Sequence, residues 1–238
     1  MTHQRLTMAI GRFLVVLSTV VLLPATNVFL ITTPAYIAFE YRRPGVPGSD
    51  IYDPQVRLEL SQATVRWLNS SQGIEGLAAL QHEGRPVYNA RELRHMADVK
   101  AVMDGLRWAW GAAALVLLAG FVTAVRHRPW RRQFLRSTFT GAVLLIALLV
   151  GILLSAVLSF DWFFVRFHQV FFAADTWLFN YEDSLIQFYP LEFWIDTTFI
   201  LGATTVCDAL IVAAASMVCL RRFARASAGR AAPAERGR

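Results

Sequence analysis

Four apolar runs, each close to twenty residues long, limit what this chain can fold into. They lie at roughly 13–31, 108–125, 141–160 and 197–220. A bilayer core about 30 Å thick needs about 20 helical residues to cross it. Inside lipid every backbone N–H and C=O must find its partner within the protein, so an open chain of this kind spans as helices. The composition agrees, with 55% hydrophobic residues and a mean hydropathy of +0.43, more apolar than soluble domains. The first run is too long for a signal peptide and no small-x-small cleavage site follows it, so it reads as an anchor. The expected fold class is therefore an all-α membrane protein with four transmembrane helices and two helical extracytoplasmic loops, at roughly 35–105 and 161–196. Residues 1–222 form one integral membrane domain in this reading, and 223–238 a disordered basic cytoplasmic tail.

The charges give the orientation. Arg126, Arg128, Arg131, Arg132 and Arg136 crowd the short link between the second and third runs, and Arg221, Arg222 and Arg225 follow the fourth. By the positive-inside rule these segments, with Arg5 and Arg12 near the start, are cytoplasmic. Fifteen of the seventeen acidic residues fall instead between Glu40 and Asp104 or between Asp161 and Asp196, so those loops face outward. The net charge of +6 is a membrane-topology signal and implies no nucleic-acid partner, because the arginines sit at the ends of apolar runs. The chain is expected to be a multi-pass protein of the cell membrane, with both termini cytoplasmic and its site extracytoplasmic.

The segment from Phe160 to Trp194 stands out within the second outer loop. Fourteen of its thirty-five residues are Phe, Tyr or Trp, and it also carries Asp161, Arg166, His168, Asp175, Glu182, Asp183 and Glu192. Rings mixed with polar groups suit the membrane–water interface, where one side of each ring is apolar and the other wet. The segment is read as an interfacial platform holding half of an active site. His168 is its strongest candidate, since a titratable group costs more there than on an ordinary surface. Arg166 is placed to meet a lipid phosphate.

The first outer loop supplies the other half. Pro44, Gly45, Pro47, Gly48 and Pro54 mark irregular chain, a helix is expected over 56–68, and His82 sits at a loop tip in QHEGRP. Asn89 is a good N-cap with Glu92 three residues on, the pattern of a capping box. Helical spacing then puts Glu92, His95 and Asp98 on one face. Continued straight, that helix would hold His95 roughly 20 Å beyond Trp108, so a lipid-facing role needs a bend near Asp104–Gly105, or else the site is walled by the loop rather than by lipid. The two cysteines, Cys207 and Cys219, fall roughly 18 Å apart along one helix, too far for a disulfide.

These motifs together carry a resemblance. HMADVK before the second run, with FHQVFF, a tryptophan, DSLIQFYP and FW before the fourth, resembles the bacterial lipoprotein intramolecular transacylases. That resemblance implies a membrane enzyme that moves an acyl chain from the sn-2 ester of a diacylglyceryl-cysteine to the α-amino group of the same cysteine. It implies His95 and His168 as the catalytic pair, and as partners a diacylated lipoprotein N-terminus and outer-leaflet phospholipid. Glu92, Asp98, Arg166, Asp175, Trp177, Asp183 and Tyr189 are the candidate supporting or substrate-binding groups. Tyr189, Trp177, Arg166 or backbone N–H groups could serve as oxyanion donors. An amine with a pKa of about 7.7–8.0 is within reach of a neutral imidazole base, and the chemistry calls for no metal or cofactor. Four alternatives remain: a Ser184 acyl-enzyme, a zinc site on the two histidines and an acid, a different lipid-acting hydrolase or transferase, and a non-enzymatic membrane adaptor.

Overall fold

In the computed structural model, residues 3–173 and 176–231 are described. Four helices are long and apolar enough to cross a membrane. They are α1 (His3–Ile31), α5 (Ala90–Arg126), α6 (Arg128–Leu158) and α9 (Leu191–Ala231). Each outruns its apolar run at one end or both. Pro24 interrupts α1 without ending it. Gly105 does not break α5, so the helix that carries His95 continues into the apolar segment beginning at Trp108. The expected tail at 223 starts as a continuation of α9, because nothing in RRFARASAGRA stops a helix; residues 232–238 lie outside the described ones.

The chain packs as two units. The first holds residues 3–25, 108–150 and 204–231. Its centre is Leu145 packed among Ala142, Ala209 and Ala213, three small side chains that let helices approach in lipid. The closest approach is at Gly141. A Cβ there would stand 2.8 Å from the Cβ of Thr19 and 2.9 Å from the carbonyl oxygen of Val16. Thr138 and Ser216 share a 3.0 Å hydrogen bond within the same unit.

The second unit, 26–107 and 151–203, contains both loops. After α1 come α2 (Pro34–Glu40), α3 (Pro54–Leu68) and α4 (Ile74–Ala78). Thr33 caps α2 by accepting the Tyr36 N–H at 3.3 Å, with Pro34 in the first turn. A two-residue hairpin, β1 (Gln81–His82) and β2 (Arg85–Pro86), pairs Gln81 with Pro86 and His82 with Arg85. Glu83 and Gly84 turn it with φ of 51° and 75°, the left-handed pair that a two-residue hairpin requires. The loop tip read in QHEGRP is therefore a β-turn. α7 (Phe160–Phe171) and α8 (Ser184–Phe188) complete the unit.

α8 is the plug of this unit. The Phe188 side chain is fully buried against Tyr52 at 4.9 Å and Tyr88 at 6.1 Å. Its carbonyl accepts from Tyr41 Oη at 2.7 Å and from Arg57 at 3.3 Å. Gln187 accepts from Ser49 at 2.6 Å and donates to the Tyr181 carbonyl at 2.7 Å. The second loop is thus threaded into the first.

The C-terminal carbonyls of α3 would be orphaned at the helix end. Lys100, the sole lysine, supplies a cation to them. Its Nζ donates to the carbonyls of Ser70 at 2.6 Å and Trp67 at 3.2 Å and lies 4.9 Å from the Trp67 ring centre. Hydrogen bonds from a charged donor contribute about 1.5–3 kcal/mol. Lys100→Met is therefore expected to lower thermal stability in detergent by about that amount, with Lys100→Arg closer to the parent. Equal melting of Lys100→Met and parent would contradict this role.

Candidate active site

α7 follows α6 after a single residue. Ser159 starts it by accepting the Trp162 N–H at 3.3 Å, with Asp161 in the first turn favouring the positive end of the helix. No residue of α7 is buried, and Trp162, Val165, Phe167, Val170 and Phe171 are all exposed. An apolar face of this kind, next to a spanning helix, is suited to lipid rather than water. The rings also stack on one another along the helix, Phe160 on Phe164 and Phe167 on Phe171.

His168 sits in the last turn of α7. Its Nδ1 lies 2.8 Å from the Phe164 carbonyl oxygen. A carbonyl only accepts, so the neutral ring carries its proton on Nδ1 and leaves the Nε2 lone pair free. Phe164 at 4.1 Å and Trp177 at 4.7 Å flank the ring. Burial lowers its pKa, partly offset by the Phe164 hydrogen bond.

His95 comes from α5. The capping box forms: Asn89 Oδ1 accepts the Arg91 and Glu92 N–H groups at 2.9 and 3.0 Å, and Glu92 Oε2 accepts the Asn89 N–H at 2.8 Å. One turn later His95 is 8% exposed, thirteen residues before the apolar segment at Trp108. Its ring stacks on His168 with centroids 6.2 Å apart and planes 25° apart, and meets Phe172 at 4.8 Å and Phe179 at 5.4 Å. The site is thus walled by the second loop, one of the two arrangements the sequence left open. His95 Nδ1 is buried without a hydrogen-bond partner among the described residues, an arrangement that costs about 1–3 kcal/mol. Burial, followed by the charge His168 would carry, pushes the His95 pKa down to about 4. Imidazole-selective NMR should find His95 neutral at pH 5 and titrating well below 6.5. The unfolded chain binds that proton first, so this ring takes away stability as pH falls from about 6.5 towards 4. A midpoint at or above 6.5 would contradict the buried geometry.

The comparisons with known proteins follow this geometry. The sequence model of the lipoprotein intramolecular transacylase Lit matches residues 12–194. The chain belongs to the Lit family. A protein of Aquifex aeolicus (strain VF5) named only as uncharacterized is 27% identical over 180 residues, covering 74% of this chain and 79% of that one. Two solved structures share the fold, both of the membrane-integral Lit of Bacillus cereus determined in meso. One superposes with a TM-score of 0.67 at 16% identity, covering 93% of this chain and 97% of that one. The other, with a histidine-to-arginine mutation, gives 0.65 at 16% identity over 94% and 96%. A multi-pass, predominantly helical membrane protein of a lipoprotein transacylase family is thus established.

The remaining Lit site candidates divide by what their side chains touch. Glu92 is 1% exposed, and its second oxygen accepts the Leu185 N–H at 2.8 Å. Asp183 accepts from Asn89 at 2.8 Å and pairs with Arg91 at 3.1 Å. These two carboxylates fasten the start of α5 to the start of α8, which sets His95 against the rings of the second loop. Tyr189 donates to the Ser61 carbonyl at 3.2 Å, in the core around α8. Arg166 is exposed and donates to Gln169 at 3.0 Å. Asp98 is half-buried and makes no ion pair among the described residues. Asp175 lies outside the described residues. Trp177 stacks on His168, and its Nε1 is buried with no partner among the described residues.

Ser184 bonds Tyr52 Oη at 2.8 Å and donates to the Val87 carbonyl, so its proton is directed away from any histidine. Among the described residues no three His, Cys, Asp or Glu side chains converge as metal ligands. Cys207 and Cys219 are free. Helical spacing places Phe172 one turn beyond His168, and the two rings lie 5.6 Å apart; the Phe164 carbonyl and the Phe179 wall carried no separate sequence signal, because a backbone acceptor and one phenylalanine in a ring-rich segment look like any others.

Proposed function

We propose that this protein is an intramolecular O-to-N acyltransferase. The α-amino nitrogen of a lipoprotein's N-terminal cysteine attacks the sn-2 ester carbonyl of the diacylglyceryl group on the same cysteine. The C–N bond forms and the C–O bond to glycerol breaks. The amine proton ends on the glycerol oxygen as a hydroxyl, so the reaction balances without water or a co-reactant. The product is a lyso-form lipoprotein.

One observation carries this reading: two stacked histidines, of which His168 has its Nδ1 committed to a carbonyl and its Nε2 free. His168 is the general base, and the Phe164 carbonyl stabilises the imidazolium it becomes. His168 then returns the proton to the departing oxygen. His95 stays neutral beside it. Two charged rings 6.2 Å apart would repel by about 3 kcal/mol at an effective dielectric of 20, so the low His95 pKa leaves room for the transient charge on His168. Donor and acceptor share one molecule, so positioning supplies much of the acceleration. The exposed apolar rings of α7 support a substrate held in lipid.

The Arg-rich link and C-terminal segment support cytoplasmic termini, which leaves the two loops outward and the histidines at the outer leaflet of the cell membrane, beside its phospholipid. Substrate and product are isomers, so the test reads chemistry rather than mass. A diacylglyceryl-cysteine peptide incubated with the purified protein in nanodiscs should lose reactivity towards an amine-labelling reagent with no change in mass. A retained free amine with the protein folded would sink the proposal.

A further inference from the structure

An acyl transfer of this kind builds negative charge on the former carbonyl oxygen, and rate depends on a donor already waiting there. This inference rests on the transacylase reading. His168 offers a lone pair at Nε2, which repels an oxyanion. Tyr189 spends its hydroxyl proton on the Ser61 carbonyl, and Arg166 is an exposed side chain turned to Gln169 and the Trp162 ring rather than to His168. Among the described residues, the Trp177 indole holds an unspent donor beside the pair. Its ring lies 4.7 Å from His168 at 32°, and its Nε1 is buried with no acceptor among the described residues.

An indole N–H is a donor only, and buried tryptophans usually find it a partner. Trp67 shows what a packing tryptophan does in this fold: largely buried, it donates to the Gly73 carbonyl at 2.8 Å. Among the described residues five side chains hold buried polar atoms without a hydrogen-bond partner, on Glu40, Arg57, His95, Ser137 and Trp177. Two of those five, His95 and Trp177, touch His168. Orphan polar atoms gathered on one titratable group are what a site missing its polar ligand looks like. We propose that the Trp177 N–H receives the ester carbonyl oxygen as it becomes the oxyanion, which makes Trp177 a catalytic residue for an acyl ester.

The test separates the N–H from the ring. Trp177→Phe keeps an aromatic on His168 and removes the donor. Site-specific benzothienylalanine keeps the shape and replaces N–H by sulfur. Both are assayed in nanodiscs on the diacylglyceryl-cysteine peptide. The expected result is a fall in kcat of about 10²–10³-fold, the usual loss of an oxyanion donor, with KM and melting temperature close to the parent. A kcat within about threefold of the parent for the benzothienyl form would overturn the inference, because the packing is intact and the donor gone. If the parent itself leaves the peptide unchanged, the transacylase reading has failed instead.

Discussion

His168→Ala is expected to lower acyl transfer by about 10²–10⁴-fold, the usual contribution of a positioned general base, while the protein still folds and inserts. The fold is spared because no residue of α7 is buried and the core of the loop unit is built around Phe188, Tyr52 and Tyr88. Chemistry is expected to be lost because the Nε2 lone pair held between Phe164 and Trp177 goes with the ring. His95→Ala should lose activity to a similar order. The double variant should be no worse than about tenfold below the weaker single, since groups acting as one unit are not additive. Rates for both single variants within threefold of the parent in the nanodisc assay would remove the histidine pair from the chemistry.

Glu92→Ala should strongly destabilise the loop unit. The carboxylate is 1% exposed, and its two oxygens accept the Asn89 and Leu185 N–H groups at 2.8 Å each. Burial raises its pKa and these two hydrogen bonds lower it. Its removal orphans two backbone donors in a site with little water, at about 1–3 kcal/mol each. That doubles the loss expected for Lys100→Met. Glu92→Gln keeps one acceptor and turns an NH₂ towards the other donor, so it should fall between alanine and parent. Because the same side chain joins α5 to α8, the variant should also lose activity through displacement of His95 rather than through the chemistry. Tryptophan-fluorescence melting in detergent measures the first effect; a Glu92→Ala protein that melts with the parent would contradict it.

The spans were legible because a run of twenty apolar residues has few other uses, and the α5 start because a capping box is local: Asn89 and Glu92 bond each other. The second bond of Glu92 was not legible, since its partner is the backbone of Leu185 on another helix. Spacing put Glu92, His95 and Asp98 on one face, yet only packing decides that Glu92 turns to α8 while Asp98 stays half-buried. The stacking of His95 on His168 is likewise a tertiary contact; each histidine could be singled out from its neighbours, but their pairing came through family resemblance. The orphaned Trp177 N–H had no sequence signature, because orphanhood is a property of surroundings.

The most direct test of the account is a crossover experiment with tandem mass spectrometry. Two diacylglyceryl-cysteine peptides are mixed, one with a deuterated sn-2 chain on a light peptide and one with an ordinary chain on a heavy peptide. The wild-type protein should give N-acyl, glycerol-hydroxyl products in which each chain stays with its own peptide, and His168→Ala should give almost none. Exchange of chains between peptides, or unchanged diacylglyceryl peptides with the protein folded, would contradict an intramolecular transfer by this histidine pair.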